Sequence, residues 1–241
     1  MKKIAVVAAM EEELEKIQAL MKKKKIYKIS GRKFIKGKFS GKTIVAVICG
    51  IGKVNCAVTV QILIDKFKVK NIIHTGVAGG LNPVLKPGDM VLGEYLVQHD
   101  FDTTVFGDLP GLIPGLNVVK IPSSRDLTDS LALAWEKVKV KKNNGKNISQ
   151  VSLIRGIIAT GDQFISDTEV AGKIRKVFSA DACEMEGGAL AQVCAINGVD
   201  FAVLRAISDN GTTGAKMDYE EFKKNAVEIT FEVLLEFFRG L

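Results

Sequence analysis

Histidine and cysteine, which bind metals in many proteins, are scarce in this sequence. The 241 residues include two histidines and four cysteines, and no two cysteines form a C-x-x-C pair. This scarcity argues against a zinc site and against a disulfide framework. Cys49, Cys183 and Cys194 lie in apolar segments and are expected to be small core residues. We expect neither a metal nor another cofactor.

Long apolar runs are also missing. No stretch approaches the length that crosses a bilayer. The first ten residues, MKKIAVVAAM, have the lysines and the short apolar run of a signal peptide, but EEELEK follows where a cleavage site would lie. We expect a cytoplasmic protein without membrane contact. A hydrophobic share of 47% fits a substantial core, and residues 1–241 are expected to form a single domain.

Acidic residues are outnumbered, and the net charge of +7 comes from lysine. The runs KKKK at 22–25 and KVKVKK at 137–142 are predicted to flank helix ends, where cations complement the helix dipole. No aromatic residues interleave with these lysines to stack on bases. We therefore expect a solvated surface and no nucleic-acid partner. A basic, polysaccharide-binding adhesin stays as the non-enzymatic alternative.

Short apolar runs alternate with helical patterns along the chain. The predicted strands are Ile4–Ala9, Thr43–Cys49, Asn71–Thr75, Asp89–Val97, Gly156–Thr160, Asp181–Glu184 and Phe201–Ile207. A helical pattern follows the first strand, and further helices are predicted at Val54–Phe67, Asp126–Val138, Met185–Ile196 and Asp218–Phe238. This alternation predicts an α/β fold with a largely parallel or mixed sheet.

Two glycine-containing turns lack the residues of nucleotide-binding motifs. CGIGKVN at 49–55 has Asn55 in place of the third glycine of G-x-G-x-x-G. SGKT at 40–43 lacks the first glycine of a P-loop and precedes a strand. Both motifs are rejected. HTGVAGGL at 74–81 ends a predicted strand, and its glycines allow the backbone to approach a ligand closely.

Acidic residues follow two of the predicted strands. Three glutamates at 11–13 would complement a helix dipole in a first turn, which accounts for two of them. A role for the third stays open, because ligands of α/β sheets bind beyond the carboxyl ends of strands. Glu184 and Glu186 flank Met185 at a second strand-to-helix junction. Buried carboxylates need hydrogen-bond donors, and sugar hydroxyls are suitable ones.

The last predicted strand ends with Arg205, Ser208 and Asp209. Arg205 lies within an apolar strand and therefore needs a carboxylate or an anionic ligand, whereas Ser208 or Asp209 could cap a turn. We expect Glu13, the 184/186 pair and Asp209 to share one sheet edge with Arg205. Clustering and burial raise carboxyl pKa values, so such a site can hold a protonated acid beside an ionised base.

Six motifs in a fixed order then resemble one family. They are AAMEEEL at 8–14, GIGKVN at 50–55, TGVAGGL at 75–81, ATGDQFI at 159–165, EMEGGA at 184–189 and RAISD at 205–209. Together they resemble the methylthioadenosine/S-adenosylhomocysteine nucleosidases of the purine nucleoside phosphorylase-like superfamily. The resemblance runs nearly end to end. It implies a central mixed β-sheet surrounded by α-helices, and a homodimer.

The resemblance also implies catalytic roles. Glu13 would hold and activate the attacking water, and Asp209 would protonate N7 of the purine, with Ser208 orienting it. Phe164 would stack on the adenine, and the backbone of Ile165 would read the edge of the base.

Further roles concern the sugar and its 5′ group. Glu186 and the Met185 backbone would hold the ribose hydroxyls, and Glu184 belongs to the same binding set. Arg205 would organise the water and the carboxylates. The apolar pocket for the 5′-thioether would consist of Met10, Ile51, Met185 and Tyr219.

Two further residues stand out. Phe106, in FGDLPGLIPG at 106–115, would complete the neighbouring subunit's pocket. Val77 stands where many relatives carry a serine near the ribose, so a hydroxyl is missing there.

The predicted reaction is hydrolysis of 5′-methylthioadenosine and S-adenosylhomocysteine to adenine and the 5′-substituted ribose. 5′-Deoxyadenosine is a further candidate substrate, and the sequence does not rank these nucleosides. The alternatives are a nucleoside phosphorylase, a futalosine hydrolase and an AMP nucleosidase. Phosphorolysis is disfavoured because phosphate needs cationic or amide-rich contacts and a glutamate at the water position repels it.

Overall fold

The computed structural model of the chain describes residues 3–141, 151–209 and 215–241, with side chains described for all of these except 140–141 and 215–225. The strands are β1 (Ile4–Ala8), β2 (Lys22–Ile29), β3 (Arg32–Phe39), β4 (Lys42–Ile48), β5 (Asn71–Gly80), β6 (Met90–Gln98), β7 (Ile121–Pro122), β8 (Leu153–Thr160), β9 (Ala182–Glu184) and β10 (Asp200–Asp209). The helices are α1 (Glu15–Leu20), α2 (Lys53–Phe67), α3 (Arg125–Lys141), α4 (Thr168–Phe178), α5 (Gly187–Asn197) and α6 (Ala215–Gly240), with a 3-10 turn at Thr104–Phe106.

The strands form one mixed sheet in the order β10-β6-β8-β9-β5-β1-β4-β3-β2, with β7 paired to β6. Because β10 pairs with both β6 and β5, the strands β10, β6, β8, β9 and β5 close a ring. The four remaining strands of the series extend the sheet from β5. Parallel pairs join β1, β4, β5 and β10, whereas β2–β3 and β3–β4 are antiparallel. The predicted α/β fold with a central mixed sheet surrounded by helices is confirmed.

Both faces of β1 are buried, which explains why Ile4–Ala8 is apolar without interruption. Ala5 and Val7 join a core cluster that includes residues of α2 and α5. Ile4, Val6 and Ala8 join a second cluster, which includes residues of α3 and α6. Helices thus cover the sheet on both sides. The three cysteines that were predicted to be core residues are buried.

One prediction about the first forty residues is wrong. The glutamates at 11–13 do not form a first helical turn, because α1 begins only at Glu15 and the chain turns before it. The lysines at 22–25 do flank a helix end, since they directly follow Leu20 and Met21 at the end of α1, and they are also the first residues of β2 at the edge of the sheet. Lysine is typical of edge strands, since its charge opposes pairing with another chain. The strands β2, β3 and β7 and the helix α4 were not predicted.

The remaining predicted elements are present with shifted ends. The second lysine run was predicted at 137–142, and residues 137–141 do lie at the end of α3, while Lys142 lies outside the described part of the chain. None of the described helices combines the length and apolar character needed to cross a membrane. For the site, the important feature is that β1, β5 and β10 run parallel, so their carboxyl ends meet at one edge.

Candidate active site

A cavity of about 360 Å³ opens where the strands β1, β5 and β10 end. Every predicted site residue whose side chain the structure describes lines it, with the exception of Phe106. The predicted residues in its wall are Met10, Glu13, Ile51, Val77, Phe164, Ile165, Glu184, Met185, Glu186, Arg205, Ser208 and Asp209. The sequence therefore predicted which residues would come together.

Glu13 is fixed by three backbone amides. Its Oε2 accepts hydrogen bonds from the N–H groups of Ala9 and Met10, both at 3.0 Å, and its Oε1 accepts one from Val77 at 3.1 Å. The turn after β1 carries the side chain back over the strand end. Burial raises the pKa of Glu13, while Arg205 and the three amides oppose that shift. Glu13 is thus a buried carboxyl with a single well-defined position in the cavity wall.

Among the described residues, Arg205 is the only arginine that lines the cavity, and its side chain is 1% exposed. Its Nη2 contacts Glu184 Oε2 and lies 3.4 Å from Glu186 Oε2. Its Nη1 donates a hydrogen bond to the carbonyl of Thr75 at 3.3 Å. Although burial works against it, the glutamates Glu184, Glu186 and Glu13 raise the pKa of Arg205. The guanidinium therefore stays charged and binds the acidic cluster together, as expected for an arginine within an apolar strand.

The two glutamates that flank Met185 have different surroundings. Glu184 accepts hydrogen bonds from the amides of Glu186 and Gly187 and from the hydroxyl of Thr160, besides its contact with Arg205. Glu186 accepts one from the amide of Gly52 at 2.9 Å. Burial, and then the Glu184 charge, raise the pKa of Glu186 to about 7. Protein donors occupy Glu184, so Glu186 is the carboxyl better placed to accept hydrogen bonds from a ligand.

Asp209 is carried by an irregularity in β10. The pairing of β10 with β5 shifts register between Ile207 and Asp209, and such bulges redirect side chains next to active sites. The hydroxyl of Ser208 donates to Asp209 Oδ2 at 2.8 Å, and both side chains are buried. This contact fixes one carboxyl oxygen, in agreement with the orienting role that the resemblance implies for Ser208.

Apolar side chains form the other part of the cavity. Phe164 and Ile51 stand at its mouth and are 53% and 54% exposed. Val77 packs against Met10 and against residues of β10 and α6, so it adds an apolar wall as well as the amide that binds Glu13. Phe106 lies elsewhere and is 83% exposed. Tyr219 belongs to α6, and its side chain lies outside the described part of the structure.

Two residues of strand β5 make contacts that the sequence did not predict. A Cβ at Gly76 would collide with Arg205 Nη1 and lie 2.7 Å from Glu13 Oε1, so only glycine allows these groups to meet there. His74 is fully buried, and its Nδ1 lies 3.0 Å from Arg205 Nη2. Burial and the Arg205 charge hold the pKa of His74 well below its usual range. A polar residue within an apolar strand was the available signal for His74.

The fold also brings together three potential metal ligands that are distant in sequence. Cys49 follows β4, Cys56 lies in α2 and His74 lies in β5. Their thiol and imidazole ligand atoms all lie within 4.8 Å of one another. The expectation that no metal binds rested on sequence spacing, which cannot detect a cluster assembled by tertiary structure.

Comparison with known proteins gives a consistent result. Residues 3–239 match the family model of the phosphorylase superfamily. The chain is 36% identical over 236 residues to an aminodeoxyfutalosine nucleosidase of Campylobacter jejuni, covering 98% of each protein. It is 33% identical over 240 residues to a 5′-methylthioadenosine/S-adenosylhomocysteine nucleosidase of a Geobacillus species, covering 99% of each.

A solved structure also resembles this chain in fold and in sequence. The 5′-methylthioadenosine/S-adenosylhomocysteine nucleosidase of Neisseria meningitidis, crystallised in complex with methylthio-immucillin-A, superposes with a TM-score of 0.90. The two chains are 33% identical, and the superposition covers all of both.

Proposed function

Because this chain belongs to the phosphorylase superfamily, and within it to the nucleosidases, we propose that it hydrolyses 5′-methylthioadenosine and S-adenosylhomocysteine. The products are adenine and the 5′-substituted ribose. The observation that carries this proposal is the cavity itself. It combines Glu13, fixed by three amides, with Asp209, fixed by Ser208, in an otherwise largely apolar wall.

The two carboxyl groups divide the chemistry between them. Cleavage of an N-glycosidic bond builds positive charge on the ribosyl ring and negative charge on the base, as in related glycoside hydrolysis. Glu13 holds the attacking water, accepts its proton and faces the positive ring. Asp209 delivers a proton to N7, so that adenine leaves as a neutral base. Arg205 keeps the neighbouring carboxylates and the water in place.

The remaining site residues bind the substrate. Phe164 stacks on the adenine, and the backbone of Ile165 hydrogen-bonds the edge of the base. Glu186 and the Met185 backbone hold the ribose hydroxyls. Glu184 helps to hold these ribose-binding residues in place, because it contacts Arg205 and accepts a hydrogen bond from the amide of Gly187 at the start of α5. The apolar side chains of Met10, Ile51 and Met185 surround the 5′-thioether, and Val77 adds to the same wall a side chain without a hydroxyl.

Aminodeoxyfutalosine is the second candidate substrate. The relative from Campylobacter jejuni carries that name at 36% identity, which is close to the values for the methylthioadenosine nucleosidases. The chemistry at the glycosidic bond would be the same, and only the 5′ group would differ. The open cavity mouth at Ile51 and Phe164 is where a larger 5′ group would be accommodated.

We also propose that the working unit is a cytoplasmic homodimer. The segment around the 3-10 turn exposes the apolar side chains of Val105, Phe106 and Leu109, and large exposed apolar groups are typical of interaction surfaces. In this proposal Phe106 reaches the pocket of the partner subunit and covers the 5′ end of the nucleoside.

A substrate panel tests the proposed function. Methylthioadenosine, S-adenosylhomocysteine, 5′-deoxyadenosine and aminodeoxyfutalosine are each incubated with the protein, and chromatography follows base release. Glu13→Gln should lower kcat by about a hundredfold or more, as expected for loss of a general base. Glu11→Gln, an exposed neighbour in the same turn, is the matched control and should retain the parent rate.

Two outcomes would contradict the proposal. If the parent protein turns over none of the four nucleosides but binds them, and binding survives Glu13→Gln, the chain is a binding protein. If Glu13→Gln and Glu11→Gln have equal activity, the water is not activated at Glu13.

A further inference from the structure

Behind the cavity wall lies the cluster of Cys49, Cys56 and His74. All three residues are buried, and the mechanism above uses none of them. Their ligand atoms lie within 4.8 Å of one another. Two thiols and one imidazole in such proximity can serve as zinc ligands, because thiolate and imidazole are the ligands that Zn²⁺ prefers.

The geometry and the charge of this cluster suit a divalent cation. Zinc bonds of about 2.3 Å to sulfur and 2.0–2.1 Å to nitrogen place neighbouring ligand atoms about 3.5–3.8 Å apart. The ligand atoms, which lie within 4.8 Å of one another, would therefore need to approach by about 1.3 Å at most. Two thiolates neutralise a divalent cation, so the filled site would add no net charge to the protein interior.

His74 links this cluster to the catalytic cavity. Arg205 Nη2 lies 3.0 Å from its Nδ1 and 3.4 Å from its Nε2. A guanidinium only donates hydrogen bonds, and a neutral imidazole has only one nitrogen with a free lone pair. A cation needs that same lone pair. Binding at one nitrogen places the proton on the other, where it faces the donors of Arg205. Whichever tautomer is present, a cation and Arg205 compete for His74.

Cys49 is connected to the cavity wall through the residues that follow it in the chain. Cys49 precedes the turn of Gly50, Ile51 and Gly52, and the amide of Gly52 binds Glu186. Arg205 contacts Glu186 from the opposite side. A cation bound at the cluster would therefore disturb Gly52 and Arg205, the two protein partners of Glu186, which is the carboxyl assigned to the ribose.

We propose that Cys49, Cys56 and His74 form a binding site for a thiophilic divalent cation such as Zn²⁺, and that the bound cation inhibits the enzyme by taking His74 from Arg205. The inhibition rests on the proposed nucleosidase function, whereas cation binding does not. Hard cations such as Mg²⁺ prefer oxygen ligands and should not bind at this cluster.

Calorimetry on tag-free, reduced protein tests the binding. Zn²⁺ should bind once per chain at this site, and Mg²⁺ should not. Co²⁺ should give the near-ultraviolet charge-transfer absorption of thiolate ligands. Cys56→Ala should abolish both signals, while Cys194→Ala, which removes a buried cysteine of α5, should preserve them. Cys49→Ser is the second ligand variant, and circular dichroism verifies that each variant is folded.

Activity tests the competition. Saturating Zn²⁺ should lower kcat of the parent and of Cys194→Ala by about tenfold or more, the effect of losing a hydrogen bond to a charged group. Folded Cys56→Ala or Cys49→Ser should be insensitive. Parent protein that binds no Zn²⁺, or binding that survives both ligand variants, would refute the site, and binding without inhibition would refute the competition. If the parent hydrolyses no nucleoside, the proposed function fails while calorimetry still decides the site.

Discussion

At the scale of single residues, two glutamates separated by Met185 perform different tasks. Glu184 binds backbone amides, Thr160 and Arg205, which leaves it a structural role at the start of α5. Glu186 has fewer protein donors, and burial together with the Glu184 charge raises its pKa to about 7. Their chemical identity is the same, so the hydrogen-bond donors that the fold supplies determine what each carboxyl can do.

The raised pKa of Glu186 predicts how stability depends on pH in the absence of ligand. An unfolded glutamate releases its proton near pH 4.5, whereas folded Glu186 holds it up to about pH 7. Between these values the folded state binds more protons, so the free energy of unfolding falls as pH rises. The raised pKa of Glu13 acts in the same direction. Urea unfolding at several pH values measures this slope.

Glu186→Gln should flatten the slope and should be more stable than the parent above pH 7, because the costly buried charge is gone. Glu11→Gln removes an exposed carboxyl and should keep the parent slope. Equal slopes in the parent and Glu186→Gln would show that another group takes up the proton.

Asp209 gives the sharpest prediction for a single residue. Asp209→Asn keeps the shape of the side chain but cannot deliver a proton, so nucleoside binding should survive while kcat falls about a hundredfold or more. A nitrophenyl riboside, whose leaving group needs no protonation, should be affected far less. Steady-state kinetics with both substrates measures the difference. Turnover of methylthioadenosine by Asp209→Asn within a few-fold of the parent would leave Asp209 with a merely structural role.

At the scale of elements, the segment around the 3-10 turn exposes apolar side chains that the fold of a single subunit does not explain. Phe106→Ala should raise KM for nucleosides with a 5′-thioether and leave the melting temperature unchanged, because an 83% exposed ring contributes little to the subunit's own core. Val84→Ala changes another exposed apolar residue and serves as the control. Sedimentation measures the oligomeric state at the assay concentration. A monomer with full activity would contradict the role of Phe106 in a partner's pocket.

The elements also show where the sequence was informative. Strands such as β1 and β10 are buried on both faces, so their continuous apolar runs were recognisable. The strands β2 and β3 were missed because lysines dominate them and lie opposite one another, as at Lys22 and Lys38 or Lys25 and Lys36. Like charges in such positions weaken a hairpin. Charge at a sheet edge prevents aggregation, and that requirement leaves no apolar pattern in the sequence.

The candidate site was more predictable than the edge strands. An arginine in an apolar strand needs acidic partners, and acidic residues after buried strands point to one sheet edge, so the cluster followed from the pattern. The contact between His74 and Arg205 did not follow from the sequence pattern. It depends on the pairing of β5 with β10, which places Val203 opposite His74, and no spacing in the sequence encodes that register.

At the scale of the whole molecule, the ring of strands and the parallel pairs explain why the site lies where it does. Closure of β10 onto β5 sets Asp209 beside the glycines of β5, and the pairing of β1 with β5 sets Glu13 beside Val77. Residues from the beginning, middle and end of the chain thus meet at one cavity. The fold fixes both carboxyl groups before substrate binds, which is the preorganisation that glycosidic cleavage needs.

The central claim is that water attacks the nucleoside, and the phosphate dependence of the reaction tests it most directly. The protein is dialysed free of phosphate and incubated with methylthioadenosine, and chromatography and phosphorus NMR identify the sugar product with and without added phosphate. If water is the nucleophile, adenine is released at the same rate in both buffers, and free methylthioribose is the product. A strict requirement for phosphate, with a sugar 1-phosphate as the product, would contradict it.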